Sequence, residues 1–245
     1  MSQGSLADRL GRYVHLVDSE REALAALGES ERAVSRGAML RPEQAAAREL
    51  YIVRSGWLYS SLLMADGRRQ VFSLHLPGEF AGSAALAFER APFALVAVTD
   101  AVVAVIDKIA IRSLFEHQPR LAMLLAMLGQ AERVALYDRL ASIGRTSAKA
   151  RVAALICDIL HRLRVSGEAA KDGVPMPLTQ EEIGDATGLT AVHVNRMMRK
   201  LADEGLIART NGRIRILDEA GLAAVAHHVD RFTAIDTSWL PPPRK

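Results

Sequence analysis

The stretch from Leu178 to Leu206, LTQEEIGDATGLTAVHVNRMMRKLADEGL, constrains the fold more tightly than any other part of the chain. Thr179 stands three residues before Glu182, the T-x-x-E spacing of a capping box, so a helix begins there. Ile183 and Ala186 give this short helix one apolar face. Gly188 falls where the chain must turn sharply, a place that suits a left-handed residue. Leu189 plugs the space between helices, and Thr190 caps a second helix from Ala191 to about Glu204. Val194, Met197 or Met198, and Leu201 form the inward stripe of that helix. His193, Asn195, Arg196, Arg199 and Lys200 are left on its outer faces. Gly205 ends it, and Leu206-Ile207 starts a strand.

The next segment reads as a cationic hairpin. Ile207 to Arg209 and Arg213 to Leu217 are β-prone and are joined by Thr210-Asn211-Gly212. Asn-Gly is the strongest two-residue hairpin signal, because both central positions of the turn need positive φ. Arg209, Arg213 and Arg215 give the hairpin the charge a phosphate-contacting wing requires. Helix, tight turn, helix and basic hairpin together predict a winged helix-turn-helix and a double-stranded DNA partner. The second helix would enter the major groove. Arg196, one turn in, would offer a bidentate fork to guanine O6 and N7. Asn195 would read adenine or hold phosphate. Thr179 and Thr190, with Gln180 beside the first cap, stand at helix N-termini that favour phosphate. Arg199 and Lys200 point to phosphates rather than bases.

The chain changes character near Pro119. Before it, Tyr51 to Val53, Trp57 to Met64, Gln70 to Leu76 and Phe93 to Asp107 are β-prone. Ser55-Gly56, Ala65-Asp66-Gly67 and Pro77-Gly78 separate them, and Asp100 marks another turn. Short, regularly spaced strands predict a barrel or roll rather than a βαβ sheet, with a helical segment over residues 5–30 ahead of it. After Pro119 a helix of about 25 residues, about 38 Å long, carries Leu121, Leu124, Leu125, Leu128, Ala131 and Ala135 at helical spacing. That length favours pairing with a second copy along these residues; the alternative is a helix packed on its own roll. Thr146 or Ser147 caps the next helix, Lys149 to Leu163, and a polar loop runs from Ser166 to Pro177.

Taken together, Leu50-Tyr51-Ile52-Val53-Arg54-Ser55-Gly56, Phe72 to Gly82 (FSLHLPGEFAG) and Ile183 to Arg196 (I-G-x-x-x-G-L-T-x-x-x-V-x-R) resemble the CRP/FNR family of bacterial regulators over about residues 30–217. The resemblance implies an α+β chain. Its parts are a cyclic-nucleotide-binding-like double-stranded β-roll over residues 1–118, a dimerisation helix over 119–145 and a winged helix-turn-helix over 146–222. Beyond the resemblance, residues 223–245 read as a C-terminal helix and a tail, Trp239 to Lys245, whose three consecutive prolines make it mobile or an added arm. The resemblance also implies a homodimer on a palindromic DNA site, RNA polymerase as a further partner, and an effector pocket around Gly78, Glu79, Phe80, Gly82, Ser83 and Tyr137. In cyclic-AMP-binding members of the family a Glu follows the G-E-x-x-G core and takes the ribose hydroxyl. Here Ser83 stands in that place, and Ala91-Pro92-Phe93-Ala94 lacks the cation those members place against the cyclic phosphate. A desolvated phosphate without a cation is costly, so cyclic AMP is not expected to bind. The effector is another small molecule or none. In the second helix, Val192 replaces a Glu that many members use to accept from cytosine, and would touch a thymine methyl instead.

Composition excludes other classes. The one cysteine, Cys157, cannot by itself hold an iron–sulfur cluster or form an internal disulfide. His75 and His117 are the histidines placed for haem, but haem is not expected, nor is any other cofactor. His227 and His228, adjacent on a helix, would point apart and make poor joint metal ligands. No G-x-S-x-G, Walker loop or metal-spaced set suggests an enzyme. A net charge of +3 permits a nucleic-acid partner without demanding one. The polar N-terminus and the lack of a membrane-length apolar run predict a cytoplasmic protein. The competing reading is an effector-sensing protein-interaction module whose DNA-binding role is lost. The intact caps, turn and Arg196 argue against it.

Overall fold

The computed structural model describes residues 5–166, 173–210, 212–233 and 235–243. It forms two compact units: Met1–Leu62, Phe72–Ala131 and Ile235–Lys245 in the first, Leu63–Val71 and Glu132–Ala234 in the second. No helix among the described residues is long and apolar enough to cross a membrane.

The first part of the chain gives two helices, α1 (Leu6–Leu10) and α2 (Asp18–Ala26), and then eight strands. These are β1 (Glu31–Val34), β2 (Met39–Arg41), β3 (Glu49–Ser55), β4 (Leu58–Leu63), β5 (Arg69–His75), β6 (Phe80–Ala81), β7 (Ala94–Ala97) and β8 (Ala101–Asp107). They make two four-stranded sheets, ordered β1-β8-β3-β6 and β2-β7-β4-β5. Tyr51, Val53, Ala81 and Val103 from one sheet and Leu58, Leu95 and Ala97 from the other share one core, which closes the roll. Alternation along a strand explains why β3 reads as an unbroken apolar run. Tyr51 and Val53 face the roll interior, while Leu50 and Ile52 face a second core made with the helices. Both faces of the strand are buried.

Next come α3 (Lys108–His117) and the 27-residue α4 (Pro119–Arg145). Asp107 caps α3 by accepting from the Ala110 amide at 2.7 Å. On α4 the structure corrects the expected dimer seam. Leu121, Leu124 and Leu128 are buried in the same chain's helical core, and Leu125 packs against it. Ala131 and Ala135 are half-buried. The large apolar side chains that α4 leaves exposed are Val134, Leu136, Tyr137 and Leu140. A 3.6-residue stripe shows that a helix face is buried but not what buries it.

The C-terminal segment is a second correction. It is not a free arm. Ile235 and Leu240 pack on the helical core. Arg120 forks onto both Glu20 carboxylate oxygens at 2.8 Å and donates through Nε to the Pro241 carbonyl at 2.9 Å. Proline lacks a donor but keeps its carbonyl, and a stiff segment loses less entropy on docking.

In the second unit, α5 (Ala148–Ser166) is capped by Ser147, whose hydroxyl accepts from the Ala150 amide at 3.2 Å. It is followed by β9 (Val174–Pro175), α6 (Gln180–Thr187), α7 (Ala191–Asp203), β10 (Ile207–Thr210), β11 (Arg213–Ile216) and α8 (Glu219–Ala226). The wing sheet has the order β10-β11-β9. Its third strand, β9, falls within the stretch expected to be polar loop. Part of that loop, residues 167–172, lies outside the described residues, as does Asn211 of the hairpin turn. Pro175 is tolerated because β9 is an edge strand. The two neighbouring histidines also differ from expectation. α8 stops at Ala226, His227 caps it in the left-handed region, and His228 Nε2 lies 3.1 Å from His161 Nδ1.

Cys157 is buried on α5. Burial pushes its thiol up to about 12, and the carboxylates of Glu219 and Asp158 add to the rise. The thiolate is the reactive form, so a thiol reagent at mildly alkaline pH should leave Cys157 unmodified in the native protein and label one thiol per chain after unfolding. Rapid labelling of the native protein would contradict this packing.

Candidate nucleic-acid interface

The helix-turn-helix is set by local chemistry. Thr179 Oγ1 accepts from the Glu182 amide at 3.1 Å, and Glu182 accepts from the Thr179 amide at 2.7 Å, which completes the capping box of α6. Gly188 ends α6 with φ +69°. Gly184, the first glycine of the I-G-x-x-x-G-L-T motif, has a different role. A Cβ there would lie 2.4 Å from the Leu189 carbonyl oxygen. Only a glycine lets the turn close onto the middle of α6, where the Leu189 amide donates to the Gly184 carbonyl at 3.0 Å. That contact fixes how α7 leaves the turn. On α7, Val194, Met197, Met198 and Leu201 are all buried, so both methionines face inward. Lys149 anchors the far end, with Nζ 2.7 Å from the Glu204 carboxylate.

This packing leaves one polar face outward. Val192 is 83% exposed, an unusual position for a bare isopropyl group. Arg196, Arg199 and Lys200 are exposed, and His193 and Asn195 are half-buried. Arg196 is not loose. One of its terminal nitrogens lies 2.9 Å from His193 Nε2. A guanidinium only donates, so Nε2 is the lone-pair nitrogen and His193 is the neutral Nδ1–H tautomer in this pair. His193 therefore positions Arg196, a role that helix periodicity alone does not assign. Asn195 is tied to the wing, its side-chain oxygen accepting from Arg209 at 3.4 Å. That occupies one of the two lone pairs of Oδ1 and favours a bridging role.

The candidate phosphate anchors divide. Thr190 Oγ1 accepts from the His193 amide at 3.3 Å and keeps its hydrogen to donate. Thr179 does not, because its hydroxyl donates to Glu182 at 3.0 Å. Gln180 is half-buried at the start of α6. Arg209 and Arg215 are exposed. Arg213 is half-buried and donates to the Gly173 carbonyl at 2.6 Å, so it secures the wing more than it projects from it.

Of the residues expected to form an effector pocket, Gly78 and Glu79 lie in the turn before β6, Phe80 is in β6, Gly82 and Ser83 follow it, and Tyr137 is exposed on α4. Glu79 is buried against Arg9 at 2.9 Å and accepts from the Leu76 amide at 3.0 Å. The chain fills the space over the loop itself. A Cβ on Gly78 would meet the Ser5 carbonyl at 3.3 Å, and one on Gly82 would meet the Arg41 guanidinium at 2.8 Å. Phe80 packs on the helical core, and Ser83 is exposed at the start of the one-turn helix Ser83–Leu86. Arg90 donates to the Gln44 carbonyl. His75 has both ring nitrogens engaged. Nδ1 lies 2.9 Å from the Phe80 carbonyl and so carries the proton, which leaves Nε2 to accept from the Ser60 hydroxyl at 2.6 Å. His117 Nδ1 lies 2.9 Å from the Ser113 carbonyl.

Comparison with known proteins agrees with this geometry. Residues 31–118 match the profile of the cyclic nucleotide-binding domain, and residues 150–225 match that of the Crp-like helix-turn-helix domain. The chain is 32% identical over 192 residues to the nitrogen fixation regulation protein FixK of Bradyrhizobium diazoefficiens, covering 78% of this chain and 80% of FixK. It is 30% identical to the transcriptional regulatory protein btr of Bordetella pertussis, over 71% of each chain. The solved structure of FixK2 from Bradyrhizobium japonicum superposes with a TM-score of 0.72 at 26% identity, over 80% of this chain and 96% of that one. A roll of two four-stranded sheets, the long helix α4, a capped helix-turn-helix with a three-stranded wing, and relatives named as regulators lead to one conclusion: the chain belongs to the CRP/FNR family of DNA-binding transcription regulators.

Proposed function

We propose that two copies of the chain pair along α4 and set two α7 helices on a palindromic DNA site, without gating by cyclic AMP. The observation that carries the DNA reading is the outward face of α7, where His193 holds Arg196 beside the exposed Val192. Arg196 reads guanine O6 and N7 through its fork, and Val192 meets a thymine methyl. Thr190, Arg199, Lys200, Arg209 and Arg215 hold phosphates, and Asn195 links α7 to the wing. RNA polymerase is the protein partner such a regulator would address once on DNA. The same reading gives the chain no resident cofactor, with Cys157 buried and His75 fully engaged.

The dimer reading rests on Val134, Leu136, Tyr137 and Leu140, which one chain leaves uncovered on a long helix. Leu140 is the most exposed of them, at 70%. Leu140→Glu puts a charge in the seam and should convert the dimer to monomer in sedimentation, with tight palindrome binding lost. The fold should survive, because the side chain is not used within one chain. An unchanged dimer would place the interface elsewhere.

The reading against cyclic AMP rests on Ser83, on the uncharged Ala91–Ala94 stretch, and on the self-filled loop around Gly78 and Gly82. Calorimetric titration to millimolar cyclic AMP should give no saturable heat, and DNA affinity should not change. Micromolar binding would overturn it.

A further inference from the structure

We propose that residues 227–233 clasp α4 to the winged helix, and that Arg231 is a positioning residue for DNA recognition, fixing through Asp138 the separation of the two α7 helices. The inference rests on the dimer reading above, in which α4 carries the seam and α7 the base contacts. The link between α4 and α5 is only Thr146 and Ser147. Arg151 steadies this pivot. Its Nε donates to the Thr146 carbonyl at 3.3 Å, and a terminal nitrogen donates to the Thr187 carbonyl of α6 at 3.5 Å. A tie at the pivot resists tilt poorly, because it has no lever arm.

The segment after α8 supplies the arm. At its start, His228 Nε2 lies 3.1 Å from His161 Nδ1 on α5, and Asp230 Oδ2 lies 3.5 Å from the same nitrogen. Asp230 also accepts from the Phe232 and Thr233 amides at 2.9 and 3.3 Å, which folds the segment into a turn. Phe232 is buried and anchors that turn. The turn presents Arg231, whose Nε and a terminal nitrogen fork onto the Asp138 carboxylate at 2.7 and 2.9 Å. Asp138 stands seven residues before the end of α4, about 10 Å along its axis. With that arm, a slip of about 1 Å at Asp138 tilts α4 by only about 5°. A planar fork on a carboxylate also fixes direction, which a point charge does not. Both side chains are well exposed, so the pair adds little to stability. It joins elements far apart in the chain and contributes little to folding, which suits it to setting an angle rather than holding the fold.

Two measurements on the full-length protein test this. The first uses no DNA. Spin labels on Arg133→Cys of α4 and Asp203→Cys of α7, in chains diluted with unlabelled protein, read one distance within a chain. Both positions are exposed, and Cys157 is buried and stays unlabelled. The distance should be narrowly distributed in the otherwise unaltered chain. Arg231→Glu should broaden it, and Arg231→Glu with Asp138→Arg should restore it, because the swap rebuilds the pair with its charges reversed. The second measurement compares the palindrome at its selected spacing with one carrying an extra central base pair, which turns the half-sites by about a tenth of a helical turn. Arg231→Glu should lower the preference for the selected spacing about fivefold, with base preference in each half-site unchanged, and the swap should recover it. A merely destabilised protein would lose both preferences together. An unchanged distance distribution in Arg231→Glu would overturn the proposal and leave the DNA reading standing. So would a broadened distribution with the spacing preference intact. Binding by wild type that ignores both sequence and spacing would overturn the DNA reading, and the positioning role with it.

Discussion

Arg196→Ala is expected to lower affinity for the selected palindrome at least 30-fold while leaving weak, sequence-independent DNA binding in place. One bidentate guanine contact discriminates by about 1–3 kcal/mol. A palindromic dimer makes it twice at well-separated sites, so the losses add to roughly 2–6 kcal/mol. The variant should lose base preference at the guanine and keep its salt dependence. Lys200→Ala or Arg215→Ala should do the reverse, weakening all sequences alike and lowering the salt slope by about one for each phosphate contact per subunit. His193→Ala should fall between wild type and Arg196→Ala, because it removes the group that holds the guanidinium and not the fork itself. Binding isotherms at several salt concentrations separate these outcomes.

Arg9→Ala is expected to cost the largest share of stability. Arg9 and Glu79 are 6% and 4% exposed and 2.9 Å apart. Removing the cation takes a buried ion-pair partner from the Glu79 carboxylate, a loss of about 3–5 kcal/mol. The pair itself adds much less than that, since both ions were desolvated to form it. Arg9→Met combined with Glu79→Gln should therefore recover most of the loss, because the amide oxygen of the introduced glutamine can still accept from the Leu76 amide. Denaturant titration of wild type, Arg9→Met, Glu79→Gln and the double variant gives the coupling directly. A small effect of Arg9→Ala alone would mean that α1 does not cover the Gly78–Glu79 loop in solution.

The parts of the fold legible in the sequence are those written in local chemistry. The capping box at Thr179, the turn at Gly188, the apolar stripe of α7 and the strands of the roll all depend on residues a few positions apart. The sequence also shows that the leucines of α4 are buried. It does not show that their cover is the chain's own helical core, because one stripe serves either surface. The ion pair between Arg9 and Glu79, the docking of Pro241 on Arg120 and the pairing of β9 with β11 join residues far apart in the chain, and no short-range pattern marks them. In the site, Arg196, Val192, Thr190, Arg199 and Lys200 follow from helix periodicity. The role of His193 depends on a rotamer. The tie between Asn195 and Arg209 depends on where the wing packs, and the engagement of Thr179 by Glu182 depends on a hydroxyl with one hydrogen to give.

The most direct test is selection of DNA sites by the purified, ligand-free protein at a fixed salt concentration, beside Arg196→Ala. The expected result is enrichment of a palindrome with a guanine in each half-site, bound tightly by wild type and with its preference lost in the variant. Weak, salt-sensitive binding with no enriched sequence, the same for both proteins, would contradict the assignment of α7 as the DNA-reading helix.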